Sequence, residues 1–122
     1  MKITSFNPLV VSNDPEAVIV LFEALGFEQQ HTKTGVSDLN ITGVRMKDAN
    51  GFHVDVANGD FHSDRTLIRM NVDNLEEAVE LLMARGFKKA GNFKETEETS
   101  SSRFNIMISP SGFIMNVIQH TK

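Results

Sequence analysis

VSNDPEAVIVLFEALGF, residues Val11–Phe27, and VDNLEEAVELLMARGF, residues Val72–Phe87, are two versions of one segment. Glu16-Ala17-Val18 matches Glu77-Ala78-Val79 at an offset of 61, half of the 122 residues, and Gly51-Phe52 matches Gly112-Phe113 at the same offset. Each half is therefore a copy of one plan. In the first copy Ser12, Asn13 or Asp14 can cap a helix, Pro15 suits its first turn and Glu16 its positive end. Gly26 stops that helix. In the second copy Asp73 or Asn74 caps a helix through Ala84, and Gly86 ends it.

Strands flank both segments. Ile3 to Val11 is β-branched and apolar, and Pro8 gives it an edge or a local irregularity. Phe27 to Thr32 and Leu39 to Lys47 follow, and Asp48-Ala49-Asn50-Gly51 turns the chain into a hairpin. Phe52, Val54 and Val56 then alternate with His53, Asp55 and Ala57 on two opposite faces. Ala57 to Arg65 is a polar connection, after which the plan recurs: a strand from Thr66 to Val72, the helix, and a strand opened by Phe87. Lys94 to Ser102 is a polar hairpin tip, and strands from Arg103 to Ser109 and Phe113 to His120 enclose the turn Pro110-Ser111-Gly112. The pattern predicts an α+β chain of two βαβββ modules. Module one covers about residues 1–57, a linker 58–65, and module two 66–122, all within one domain.

Composition excludes several classes. With 16 acidic and 12 basic residues the chain carries −4, which argues against a nucleic-acid partner and suits a cationic small molecule. No cysteine is present, so thiol catalysis and thiolate metal sites are ruled out. No run approaches about 18 apolar residues, so no membrane span or signal segment is expected and the cytoplasm is the default location. Tryptophan and tyrosine are absent, and nine phenylalanines carry the aromatic packing. The first helix is apolar nearly all round, with Ile19 standing where the 61-residue match has Glu80. That pattern fits either a deeply packed helix or a homodimer contact through Ile19.

The doubled plan, with Gly-Phe after each helix and Ser109-Pro110-Ser111-Gly112-Phe113 before the last strand, resembles the vicinal oxygen chelate superfamily. That group includes glyoxalase I, bleomycin-resistance proteins and extradiol dioxygenases. The resemblance covers the whole chain and implies curled mixed sheets around a shared cavity, with the helices on the outer faces. Metal-dependent members carry one ligand on the first and one on the last strand of each module. By position those residues are Phe6 and Leu67, then Asp55 and Asn116. Phe6 and Leu67 cannot coordinate, and Asn116 offers only an amide oxygen. A catalytic divalent metal needs about three imidazole or carboxylate ligands, so no metal and no other cofactor are expected.

The residues expected to line the cavity are Phe6, His53, Asp55, Leu67, Arg69, Ile114 and Asn116, with Asn71 and Ile118 on the same faces. This mixture of apolar walls and polar anchors is the usual character of a small-molecule pocket. Arg69 either pairs with Asp55 or binds an anion. His31, His62 and His120 are read as solvent-exposed, and no catalytic residue is assigned. The expected function is metal-independent binding of a small organic ligand by a protein of the glyoxalase/bleomycin-resistance type, leaning away from catalysis. Two alternatives remain: a glyoxalase-like lyase, isomerase or dioxygenase with a metal held by Asp55 and His53, and a dimeric structural or regulatory module.

Overall fold

A computed structural model describes residues 1–33, 43–59, 63–90, 96–98 and 101–121. The elements run β1 (Ile3–Ser12), α1 (Pro15–Ala24), β2 (Glu28–Lys33), β3 (Gly43–Lys47), β4 (His53–Asn58), β5 (Arg65–Val72), α2 (Leu75–Ala84), β6 (Lys88–Lys89), β7 (Glu97–Glu98), β8 (Ser102–Ile108) and β9 (Ile114–His120). They divide into two compact units, Asn7–Thr66 and Met1–Phe6 with Leu67–Lys122. No helix among the described residues is long and apolar enough to cross a membrane. The sequence expectations for residues 34–42, His62 and Glu95 lie outside the described residues, as do the side chains of residues 31–33.

In the unit Asn7–Thr66 the strand order is β2-β3-β4-β1, with β1 parallel to β4 and the other pairs antiparallel. The register of β1 on β4 begins at Leu9, opposite Asp55, just after the proline that lacks a donor. Alternation along the strands sends Val10, Val44, Met46, Val54 and Val56 to one face, where they pack with Ile19, Val18, Phe22 and Phe27. Asp14 caps α1 by accepting from the Ala17 amide at 3.3 Å, and Pro15 occupies the first turn. Phe22 and Phe27 meet edge to face, with centroids 5.4 Å apart, and fix the chain's exit past Gly26.

In the other unit β5-β9-β8-β6 are neighbours and β7 also pairs with β8. β5 runs parallel to β9. Met70, Val72, Met107, Met115 and Val117 pack against Leu75, Ala78, Val79 and Leu82 of α2. Asn74 caps α2 through the Glu77 amide at 3.1 Å, and the Gln119 side chain accepts from the Leu75 amide at 2.8 Å. The tight turns before β4 and β9 are built alike. Asp48 Oδ1 accepts from the Phe52 amide at 2.8 Å, and Ser109 Oγ accepts from the Phe113 amide at 2.8 Å. Each turn closes on a glycine in the left-handed region, Gly51 or Gly112.

The structure corrects the repeat's offset. From the first strand through helix and β2 the two copies are 60 residues apart, and 61 applies from β3 onward, where Arg45–Asp55 and Ile106–Asn116 are equivalent register pairs. Asp14 and Asn74 are the caps, and Gly26 and Gly86 the stops. Leu9 pairs with Asp55 where Arg69 pairs with Asn116. The shared Glu-Ala-Val is therefore a match one residue out of register, and one residue turns a helix by about 100°. Ile19 corresponds to Val79, not Glu80, and both are buried. At 7% exposure and packed against Val44, Met46, Val54 and Val56, Ile19 belongs to the core and is unavailable as a subunit contact. The exposed apolar side chains around α1 are Val20, Leu21 and Leu25.

Candidate functional site

In each unit the helix covers one sheet face, and the opposite face carries the chemistry. In the unit Asn7–Thr66 that face holds Asn7, Leu9 and Val11 from β1, Arg45 and Lys47 from β3, and His53, Asp55 and Ala57 from β4. Their alternation with the core residues sets this placement. Asp55 is 2% exposed and Asn7 is 5% exposed, and Arg45 joins them. Its Nε donates to Asp55 Oδ1 at 3.0 Å and its Nη2 to Oδ2 at 3.3 Å, a side-on fork. Nη2 also donates to Asn7 Oδ1 at 3.2 Å, while Asn7 Nδ2 donates to the Pro8 carbonyl at 3.0 Å. A buried carboxylate is stable only when paired and hydrogen-bonded, and Arg45 does this directly. His53 lies two residues before Asp55 on the same face, partly buried, with Nδ1 buried and, among the described residues, without a hydrogen-bond partner.

The corresponding face of the other unit carries Leu67, Arg69 and Asn71 from β5 and Ile114, Asn116 and Ile118 from β9. Arg69 Nε donates to Asn116 Oδ1 at 3.1 Å. Asn71 Nδ2 lies 3.1 Å from His120 Nε2, so His120, although exposed, has a protein partner. Asn71 Oδ1 is buried and has no hydrogen-bond partner among the described residues. Leu67, Asn71, Asn116 and Ile118 are buried, and Ile114 is half-buried.

Of the expected lining residues, His53 and Asp55 share one face, and Leu67, Arg69, Ile114 and Asn116 share another. Phe6 differs: it is 59% exposed. With the offset corrected, the first-strand position equivalent to Leu67 is Asn7, one residue further on and buried. Sequence reasoning also left out Arg45. Its signal was the alternation Val44-Arg45-Met46-Lys47, which puts both cations opposite the core face, but nothing local said which carboxylate Arg45 meets.

A divalent metal of the kind found in metal-dependent members does not fit these residues. Both Asp55 oxygens accept from Arg45, Asn116 Oδ1 accepts from Arg69, and Leu67 has no donor atom. Among the described residues no three histidine, aspartate or glutamate side chains come together. A metal at Asp55 would have to displace a guanidinium held at three points.

No family model and no curated protein matches the sequence. Solved structures do match it. Methylmalonyl-CoA epimerase from Mycobacterium tuberculosis is similar over 98% of this chain and 90% of its own, with 12% identity and a TM-score of 0.71. A variant of Streptomyces coelicolor methylmalonyl-CoA epimerase, in complex with 2-nitronate-propionyl-CoA, matches over 99% of this chain and 100% of its own, with 13% identity and a TM-score of 0.64. A glyoxalase/bleomycin resistance protein/dioxygenase superfamily member from Vibrio splendidus 12B01 matches over 97% and 99%, with 16% identity and a TM-score of 0.59. The chain thus shares the α+β fold of these proteins. At these identities the likeness is one of fold, and function has to be argued from the site.

Proposed function

We propose that this chain is a metal-independent small-molecule-binding protein of the glyoxalase/bleomycin-resistance type. It takes an organic ligand on the helix-free sheet face that carries Asn7, Arg45, His53 and Asp55. The observation that carries this reading is the Arg45–Asp55 fork, which commits the one carboxylate that a metal-dependent site would use. Buried polar side chains on a face with no covering helix fit a ligand-binding role better than a plain solvated surface. The protein acts as a single cytoplasmic domain and sequesters its ligand without transforming it. It pairs as a homodimer, a state favoured by the apolar exposure of Val20, Leu21 and Leu25 on and just after α1.

Two measurements on protein purified without chelators test this. Elemental analysis should find less than stoichiometric zinc, nickel, manganese or iron; bound metal lost in Asp55→Ala would overturn metal independence. A thermal-shift screen against organic ligands should find a stabiliser. A ligand selective for the native state adds about 2.7 kcal/mol at a hundred times its dissociation constant. A broad screen without a shift would remove the binding reading.

A further inference from the structure

The reading above leaves the ligand's chemistry open, and the unspent half of Arg45 narrows it. A guanidinium has five N–H donors in a rigid fork. Nε and Nη2 use three of them on Asp55 and Asn7. Among the described residues Nη1 makes no hydrogen bond, and the side chain is 30% exposed. The group is thus fixed by two buried acceptors on a partly exposed side chain and keeps its Nη1 donors uncommitted. A donor already held in place loses little freedom when a ligand engages it.

Its surroundings on the same face add a second cation. Lys47 lies two residues along β3, about 7 Å away at strand spacing. It is exposed and sits in register with His53. Glu28 is its register partner on β2, and among the described residues no ion pair joins the two. The chain is acidic overall, which suggested a cationic ligand, but this face offers an arginine edge and a lysine.

We propose that Arg45 is the ligand's anchor and that the ligand carries an oxyanion, a carboxylate or a phosphate. The oxyanion is received at Nη1, with Lys47 as a second contact. This rests on the small-molecule reading and specifies its chemical class.

The test titrates malonate, inorganic phosphate and tetraethylammonium, separately, into the full chain at constant ionic strength set with chloride, following the Arg45 Nε–H resonance and the melting temperature. Malonate or phosphate should saturate, and the tighter of the two tells carboxylate from phosphate. Arg45→Lys keeps the charge and loses the fork, and should weaken binding by about tenfold or more. Lys47→Ala should weaken it by about threefold and Glu28→Gln strengthen it by about twofold, while Lys88→Ala on β6 changes nothing. If Arg45→Lys fails to fold, Lys47→Ala carries the test, because that side chain is exposed and makes no hydrogen bond or ion pair among the described residues. Equal affinity for the anions in wild type, Arg45→Lys and Lys47→Ala overturns the proposal. Saturation by tetraethylammonium alone overturns the oxyanion class but leaves small-molecule binding standing. No response to any of the three also overturns the oxyanion class, and the thermal-shift screen against organic ligands then decides whether small-molecule binding stands.

Discussion

Arg45→Met is the substitution that most directly weighs the polar cluster. Methionine retains much of the apolar stem of arginine, so the loss is confined to three hydrogen bonds: two to Asp55 and one to Asn7. Both acceptor residues are almost fully buried, so water cannot replace the donor without opening the sheet. A hydrogen bond to a charged group is worth about 1.5–3 kcal/mol net, and breaking a buried pair from one side costs about 3–5 kcal/mol. The Arg45 side chain is 30% exposed, which places the expected loss at the lower end, about 3 kcal/mol. With no tryptophan or tyrosine in the chain, urea unfolding should be followed by far-UV circular dichroism. At a slope near 2 kcal/mol per molar urea the midpoint should fall by about 1.5 M, with the slope unchanged. Lys47→Met, on the same face but exposed and unbonded, should stay within about 0.5 kcal/mol of wild type. An Arg45→Met midpoint as close to wild type as that control would refute the buried-cluster reasoning.

Three further outcomes follow from the packing. Ile19→Glu should unfold the protein or cost several kcal/mol, because it puts a carboxylate among Val44, Met46 and Val56; Val20→Glu should fold normally and, if α1 mediates the proposed dimer, sediment as a monomer, so an unchanged species removes α1 from the contact. Gly86→Ala should lower the melting temperature more than Gly26→Ala: both sit at left-handed φ, worth about 1–2 kcal/mol of strain, but only at Gly86 would the new Cβ lie 3.0 Å from Pro110 Cγ, and equal losses would contradict this. The hydrogen bond from Arg103 to Glu76, at 2.6 Å, holds the Glu76 carboxyl below its usual 4.5; a depressed carboxyl contributes stability that is present above 4.5 and lost as pH falls through its folded value, so the small deficit of Arg103→Gln should be visible at neutral pH and vanish in acid, and a deficit that persists in acid would point to packing instead.

The sequence disclosed whatever is decided within a few residues. The caps at Asp14 and Asn74, the stops at Gly26 and Gly86, and the turns closed by Gly51 and Gly112 depend on local backbone chemistry, so they could be read in order. The alternation that separates Val54 and Val56 from His53 and Asp55 is equally local. Two features were not legible for one reason: both depend on register between distant segments. Three residues, Ser12-Asn13-Asp14, separate Val11 from the first helix, whereas Val72 leads into α2 through Asp73 and Asn74 alone. The coincidence of Glu-Ala-Val at 61 hid that difference and matched Ile19 with the exposed Glu80. The partnership of Arg45 with Asp55 needed the β3–β4 pairing, which the turn at Asp48–Gly51 supports but does not by itself specify.

That register slip reaches the site itself. At an offset of 60 on the first strand, the residue matching Leu67 is Asn7, so a position that had seemed apolar in both halves is polar and buried in one. The residue matching Arg69 is Leu9, and the residue matching Arg45, at 61, is Ile106. In each half the last-strand side chain, Asp55 or Asn116, accepts from an arginine Nε at 3.0 or 3.1 Å. Yet that arginine comes from β3 in one half and from β5 in the other. The two copies therefore share an interaction without sharing the residue that makes it. Transferring site residues from one half to the other by alignment misses both arginines, and following the hydrogen bonds back from the last strand finds both. The acceptors differ in character: Asp55 is a carboxylate that accepts a two-bond fork from Arg45, whereas Asn116 is a neutral amide whose oxygen accepts from Arg69 Nε.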